Sequence, residues 1–147
     1  MEIKITKTQN PGVMPAEDKL GFGKVFTDHM LIVDYDSEKG WHDARIVPFA
    51  PISLHPASTV LHYGAEIFEG LKVYRREDGG IQMFRPQENV KRMNNSAERM
   101  SLPQMDEKDM LELMSTFVKL EEKWVPKSSV TSLYLRPFMF GNDEALG

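Results

Sequence analysis

With 147 residues, 41% of them apolar and 27% charged, the chain has the make-up of a one-domain soluble protein with a real core. A net charge of −4 gives no reason to expect nucleic acid or an anionic membrane as a partner. The absence of cysteine excludes disulfides, thiolate nucleophiles and Cys-type zinc sites. The charged start Met1 to Lys7 lacks an apolar signal core, and no apolar run approaches the ~20 residues that span a bilayer. These features predict a cytoplasmic location.

In chain order, Met1 to Leu20 is polar and carries Pro11, Gly12 and Pro15, so it reads as an arm with an early strand at most. Gly21 to Phe26 reads as a glycine-flanked extended segment. Met30 to Asp34 is rich in branched apolar residues and predicts a strand. Asp36 to Gly40 is a turn. Arg45 to Pro48 and Ile52 to Leu54 are short extended pieces, and Pro48 and Pro51 suggest an edge strand or a bulge there. Leu54 to Arg75 predicts a turn at Pro56, then a helix capped by Ser58 or Thr59, with Leu61, Ala65 and Phe68 on one face. Gly70 is expected to stop that helix in a left-handed turn. Glu66 and Glu69, one helical turn apart, read as its solvated face.

Leu71 to Arg76 and Ile81 to Phe84 flank Glu77-Asp78-Gly79-Gly80, which predicts a hairpin. Pro86 suits the first turn of a helix whose Val90, Met93, Ala97 and Met100 recur at helical spacing. Pro103 ends that run. A second helix starts near Asp106, with Met110, Leu113, Met114, Phe117, Leu120 and Trp124 as its apolar stripe. Val130 to Arg136 alternates like a strand, so Tyr134 and Arg136 share one face and Leu133 and Leu135 the other. Strands joined by hairpins, with helices after and between them, predict an α+β domain on a largely antiparallel sheet.

Several short patterns carry no chemistry. Gly21-Phe22-Gly23 lacks a third glycine and a following helix, so it is no dinucleotide loop. Asp34, Asp36 and Glu38 alternate like calcium ligands, but Lys39 and Arg45 stand where an EF-hand needs glycine and glutamate. His29, His42, His55 and His62 lack zinc spacing and read as packed or solvated histidines, so no metal site is expected. Read from pattern alone, Arg92 is a surface arginine off the Val90-Met93-Ala97 face.

Three segments in order carry a resemblance: Phe22-Gly23-Lys24-Val25-Phe26-Thr27-Asp28-His29-Met30, the run Leu54 to Arg75, and Ser132-Leu133-Tyr134-Leu135-Arg136-Pro137. Together with Phe84-Arg85-Pro86-x-x-Asn89-x-x-Arg92-Met93, they resemble the branched-chain amino acid aminotransferases, fold-type-IV enzymes that use pyridoxal 5'-phosphate. The likeness runs from Phe22 to Gly147. It implies the small α+β N-terminal domain of such an enzyme at residues 21–147, behind an arm at 1–20. It makes Arg92 the ligand of the cofactor phosphate, a role that suits a permanently charged fork of donors. It places Tyr134, Arg136, Phe68 and Phe22 in the substrate pocket, and Tyr63 in the pocket of a neighbouring subunit, so a homodimer is expected.

The implied reaction exchanges an amino group between leucine, isoleucine or valine and 2-oxoglutarate, with glutamate and branched 2-oxo acids as the other partners. No lysine here matches the context of the family's cofactor-linked lysine, which belongs to a second domain. No catalytic residue is therefore expected within this chain, which alone should be inactive and bind cofactor weakly or not at all. Alternatives of the same fold are a D-amino acid transaminase and a 4-amino-4-deoxychorismate lyase. An alternative of another class is a stand-alone interaction domain that has lost catalysis.

Overall fold

The computed structural model describes residues 1–146; Gly147 lies outside the described residues. Its strands are β1 (Lys4–Ile5), β2 (His29–Asp36), β3 (Gly40–Pro48), β4 (Glu66–Phe68), β5 (Leu71–Arg75), β6 (Ile81–Met83), β7 (Leu133–Leu135) and β8 (Phe138–Phe140). The helices are α1 (Thr59–Tyr63), α2 (Pro86–Arg99) and α3 (Glu107–Leu120). Among the described residues the strands form three small sheets, ordered β1-β3-β2, β4-β8 and β6-β5-β7. Every pairing is antiparallel except β1 with β3. The α+β class expected from the sequence is the one observed.

Long-range pairing joins two of these sheets into one ribbon. Phe68 faces Phe138 and Leu71 faces Leu135, so the register is unbroken across Glu69-Gly70 and Arg136-Pro137. Pro137 has no N–H to give, which is why the ladder splits there into β7 and β8. Its carbonyl still accepts from the Glu69 N–H at 2.8 Å. Residues alternate across such a ribbon. Ile67, Leu71, Val73 and Leu135 point into the core, where Val90, Met93 and Ala97 of α2 and Met110, Leu113, Met114 and Val118 of α3 cover them. Phe68, Lys72, Arg136 and Phe138 face outward and are exposed.

Local signals in the sequence explain the helices. Pro86 opens α2, and the Asp106 carboxylate caps α3 by accepting from the Lys108 and Asp109 N–H groups at 2.9 and 3.1 Å. The Asn94 side-chain amide donates to the Met105 carbonyl and accepts from the Met105 N–H, at 2.8 and 3.1 Å, and so closes the connection between the two helices. The expected stripe of α3 is displaced slightly: Val118 is buried, Phe117 is half-buried and Trp124 sits in a following 3-10 turn. Met100, expected on the buried face of α2, ends that helix exposed.

Several expectations are corrected. The helix predicted to reach Gly70 ends at Tyr63, because Gly64 takes the left-handed conformation at φ 61°. Strand β4 comes directly after it, so Leu61 and Phe68 share no buried helix face; both are exposed. Ser58 does stand before α1, but its side chain makes no capping bond. Glu69, expected on a solvated helix face, is only 5% exposed. Gly21 to Phe26 is irregular rather than extended, with positive φ at Gly21 and Gly23. The bulge lies between Ile32 and Asp34 of β2 and not at the prolines, with Asp43 of β3 at φ 49°.

Candidate functional site

The outward face of the ribbon gathers four of the expected substrate residues. Tyr134 and Arg136 point the same way from one strand, and the Arg136 guanidinium donates to the Tyr134 hydroxyl at 3.3 Å. That guanidinium lies over the Phe68 ring at 4.5 Å and the Tyr134 ring at 5.3 Å from their centroids. Phe22 meets Tyr134 edge to face at 5.1 Å between ring centres. Phe22 is 69% exposed and Phe68 59%. An aromatic wall with one cation at its rim, open to solvent, suits a ligand with an apolar body and an acidic end. Tyr63 is not part of this cluster. It stands exposed on α1, with its hydroxyl 3.4 Å from the Leu146 carbonyl.

Gly70 makes the cluster possible. It lies opposite Arg136 on the same face, and a Cβ added there would meet the Tyr134 hydroxyl oxygen at 1.8 Å and its Cζ at 2.7 Å. The ring thus rests on bare backbone. The glycine is needed for close approach, and not for the left-handed turn the sequence suggested.

Arg92 lies at the other margin of Phe68. An open concavity of about 530 Å³ is lined by Phe68, Arg92, Asn95, Ser96 and Arg99, among others. The Arg92 side chain is 65% exposed, yet one edge of it is held. Nε and Nη2 donate to the two oxygens of Glu69, at 2.5 and 2.9 Å. The Asn89 amide donates to the same carboxylate at 3.0 Å and to the Gly70 carbonyl at 3.2 Å, and the Gly70 N–H adds a bond of 3.2 Å. The Arg92 guanidinium, with Asn89 and Gly70 behind it, holds the Glu69 carboxyl below the usual carboxylate range despite its burial.

The sequence reading missed Glu69, Asn89 and Gly70. A signal was present: Ile67, Glu69, Leu71 and Val73 share one strand parity. A carboxylate among apolar residues on a core face needs a partner.

A second polar cluster lies at the arm. Asp28, His29 and Glu121 bring ligand atoms within 4.8 Å of one another. All three are engaged by protein. His29 Nε2 accepts from the Thr8 N–H at 2.9 Å, so Nδ1 carries the hydrogen that goes to Glu121 at 2.5 Å. Glu121 also accepts from the Asp28 N–H at 2.8 Å. Asp28 accepts from the Gly12 N–H at 2.7 Å and pairs with Lys123 at 2.5 Å. This is a latch that ties the arm to the end of α3, and His29 is the packed histidine that the sequence suggested.

No family model matches the chain. Curated relatives and solved structures do. Over 145 residues it is 48% identical to a protein of Staphylococcus aureus (strain N315) described as a probable branched-chain-amino-acid aminotransferase, a match covering 99% of this chain and 40% of that one. The chain is a homologue of the branched-chain aminotransferases. It is also 51% identical over 133 residues to branched-chain-amino-acid transaminase 1 of Bacillus subtilis (strain 168), covering 90% of this chain and 37% of the relative. The chain thus spans about 40% of the length of the curated relatives it matches. Among solved structures, the Escherichia coli branched-chain aminotransferase superposes with a TM-score of 0.56 at 27% identity, covering 69% of this chain and 32% of that one. A T.th. branched-chain aminotransferase, solved with N-(5'-phosphopyridoxyl)-L-glutamate, does so with a TM-score of 0.57 at 29% identity, covering 69% and 32%. No helix among the described residues is long and apolar enough to cross a membrane.

Proposed function

We propose that residues 21–147 form the small domain of a branched-chain aminotransferase, behind an arm at 1–20, and that a second domain supplies the cofactor-linked lysine. The cofactor, pyridoxal 5'-phosphate, serves as electron sink and carrier of the amino group between leucine, isoleucine or valine and 2-oxoglutarate. The described residues fit such a group. Arg92 offers a guanidinium edge at an open concavity, with its other edge anchored, which is the geometry that phosphate recognition uses. Arg92 holds the phosphate, while Phe22, Phe68, Tyr134 and Arg136 wall the substrate side chain. Tyr63, outside that cluster and exposed, serves the pocket of a second subunit in a cytoplasmic homodimer.

The observation that carries this reading is the convergence of Phe22, Phe68, Tyr134 and Arg136 on one open ribbon face. Such a pocket must accept both an isobutyl group and a second carboxylate. Apolar walls alone reject the latter, because a bare buried carboxylate costs several kcal/mol. Arg136 stacks over Phe68 when an apolar side chain is bound and turns its donors to the acid when glutamate is bound. In the enzyme carrying this domain, Arg136→Ala lowers kcat/KM for glutamate and 2-oxoglutarate about tenfold or more, and for leucine much less. Equal losses for both substrates would assign Arg136 a common structural role, and no loss would leave it a solvated strand residue.

A further inference from the structure

An arginine that is mostly exposed is ordinarily a mobile charge, because fixing its long side chain costs rotamer entropy. Arg92 is exposed and fixed at once. The fixing group, Glu69, is 5% exposed and sits on the core face of the ribbon among Ile67, Leu71 and Val73. A carboxylate in that row costs stability unless all its lone pairs are used. Four donors meet it: Oε1 takes Arg92 Nε, and Oε2 takes Arg92 Nη2, the Asn89 amide and the Gly70 N–H. Asn89 spends both amide hydrogens on this corner, on Glu69 and on the Gly70 carbonyl. The carboxylate plane therefore has no freedom to swing. Among the described residues, Arg92 Nη1 has no hydrogen-bond partner.

We infer that Glu69 is a positioning residue that grips the Nε edge of Arg92 and turns the opposite edge toward a phosphate monoester in the concavity beside Phe68. The inference rests on the reading that Arg92 binds phosphate, and it adds a geometric condition to it. A guanidinium has two edges that suit an oxyanion: Nε with one terminal nitrogen, and the two terminal nitrogens together. Glu69 fills the first, so the phosphate is recognised by the second. It approaches along the direction set by the buried carboxylate, and not along whichever rotamer a free arginine would take.

Charge and geometry pull in opposite directions here, which makes the claim testable. A nearby carboxylate repels a phosphate dianion, so by charge alone its loss would tighten binding. By position its displacement weakens binding. Glu69→Asp separates the two, because it keeps the charge and withdraws the carboxylate by about 1.5 Å.

The experiment follows the arginine Nε–H signals of the whole enzyme carrying this domain, freed of cofactor, by NMR during titration with pyridoxine 5'-phosphate and with pyridoxine. These ligands share a ring, differ in the phosphate and lack the aldehyde that would label lysines. In the wild type, the Arg92 Nε–H stays protected and shifted at saturation with the phosphorylated ligand, because Glu69 keeps its edge. Glu69→Asp weakens binding of pyridoxine 5'-phosphate about tenfold, as the misplacement of a charge-assisted pair should, and leaves pyridoxine unchanged. Collapse of the Nε–H signal to that of a free guanidinium would show phosphate displacing Glu69 and overturn the inference. So would a loss under about threefold in Glu69→Asp, or an equal loss for both ligands. Absence of any phosphate-dependent response at Arg92 in the wild type would overturn the Arg92 reading as well. If Glu69→Asp fails to fold, the fate of the wild-type Nε–H signal decides alone.

Discussion

The two faces of the β4-β5/β7-β8 ribbon are built from alternate residues of the same strands, yet they obey different rules. On the inner face Ile67, Leu71, Val73 and Leu135 are buried against α2 and α3, and the charged member, Glu69, is enclosed by partners. On the outer face Phe68, Arg136 and Phe138 are exposed; Arg136 lies over Phe68 and Tyr134, Tyr134 meets Phe22, and Phe138 stacks on Phe140. The inner face is committed to holding the fold. The outer face is held by what lies beneath it and, among the described residues, is left open to solvent, which is the condition for a preorganised binding surface.

The sharpest way to break this comparison is to truncate neighbours of opposite parity. Leu71→Ala, on the inner face, should destabilise the domain by about 2–5 kcal/mol, the cost of a buried leucine plus its cavity. Phe68→Ala, on the outer face, should cost no more than about 1 kcal/mol in urea denaturation. If both cost the same, the two faces do not divide the labour as described.

Gly70→Ala comes next. Its Cβ would strike the Tyr134 hydroxyl, so the ring must move, while the strand tolerates alanine. The expected result is a folded protein whose Phe22 and Tyr134 ring signals lose their mutual shifts in NMR spectra. Unchanged ring signals would mean that Tyr134 does not rest on Gly70 in solution.

The smallest effect belongs to the arm. Burial would push the Asp28 carboxyl up, but Lys123 and the Gly12 N–H outweigh it and hold Asp28 at about 2, below its ordinary 3.8. A depressed acid contributes stability that is full above the higher value and is lost as the pH falls through the lower one. Stability from the latch should therefore fade between about pH 4 and pH 2. Asp28→Asn should flatten the change in urea midpoint across that window. A parallel loss in wild type and variant would remove Asp28 from the account.

The sequence by itself determined the local elements. Pro86 and the Val90-Met93-Ala97 spacing define α2, Asp106 starts α3, and Asp78-Gly79 lies in the turn between β5 and β6, each through rules that act within a few residues. The shared face of Tyr134 and Arg136 was legible for the same reason, since a strand alternates whatever it pairs with. Everything beyond local pattern was decided only by the tertiary structure. Residues 65–70 carry a helical spacing of apolar side chains, but Gly64 stops α1 and strand β8, some seventy residues away, claims the segment instead. That choice turned Glu69 from a solvated residue into a buried anchor and brought Tyr134 down onto Gly70. Both facts depend on which backbone lies alongside, and a single strand does not name its partner.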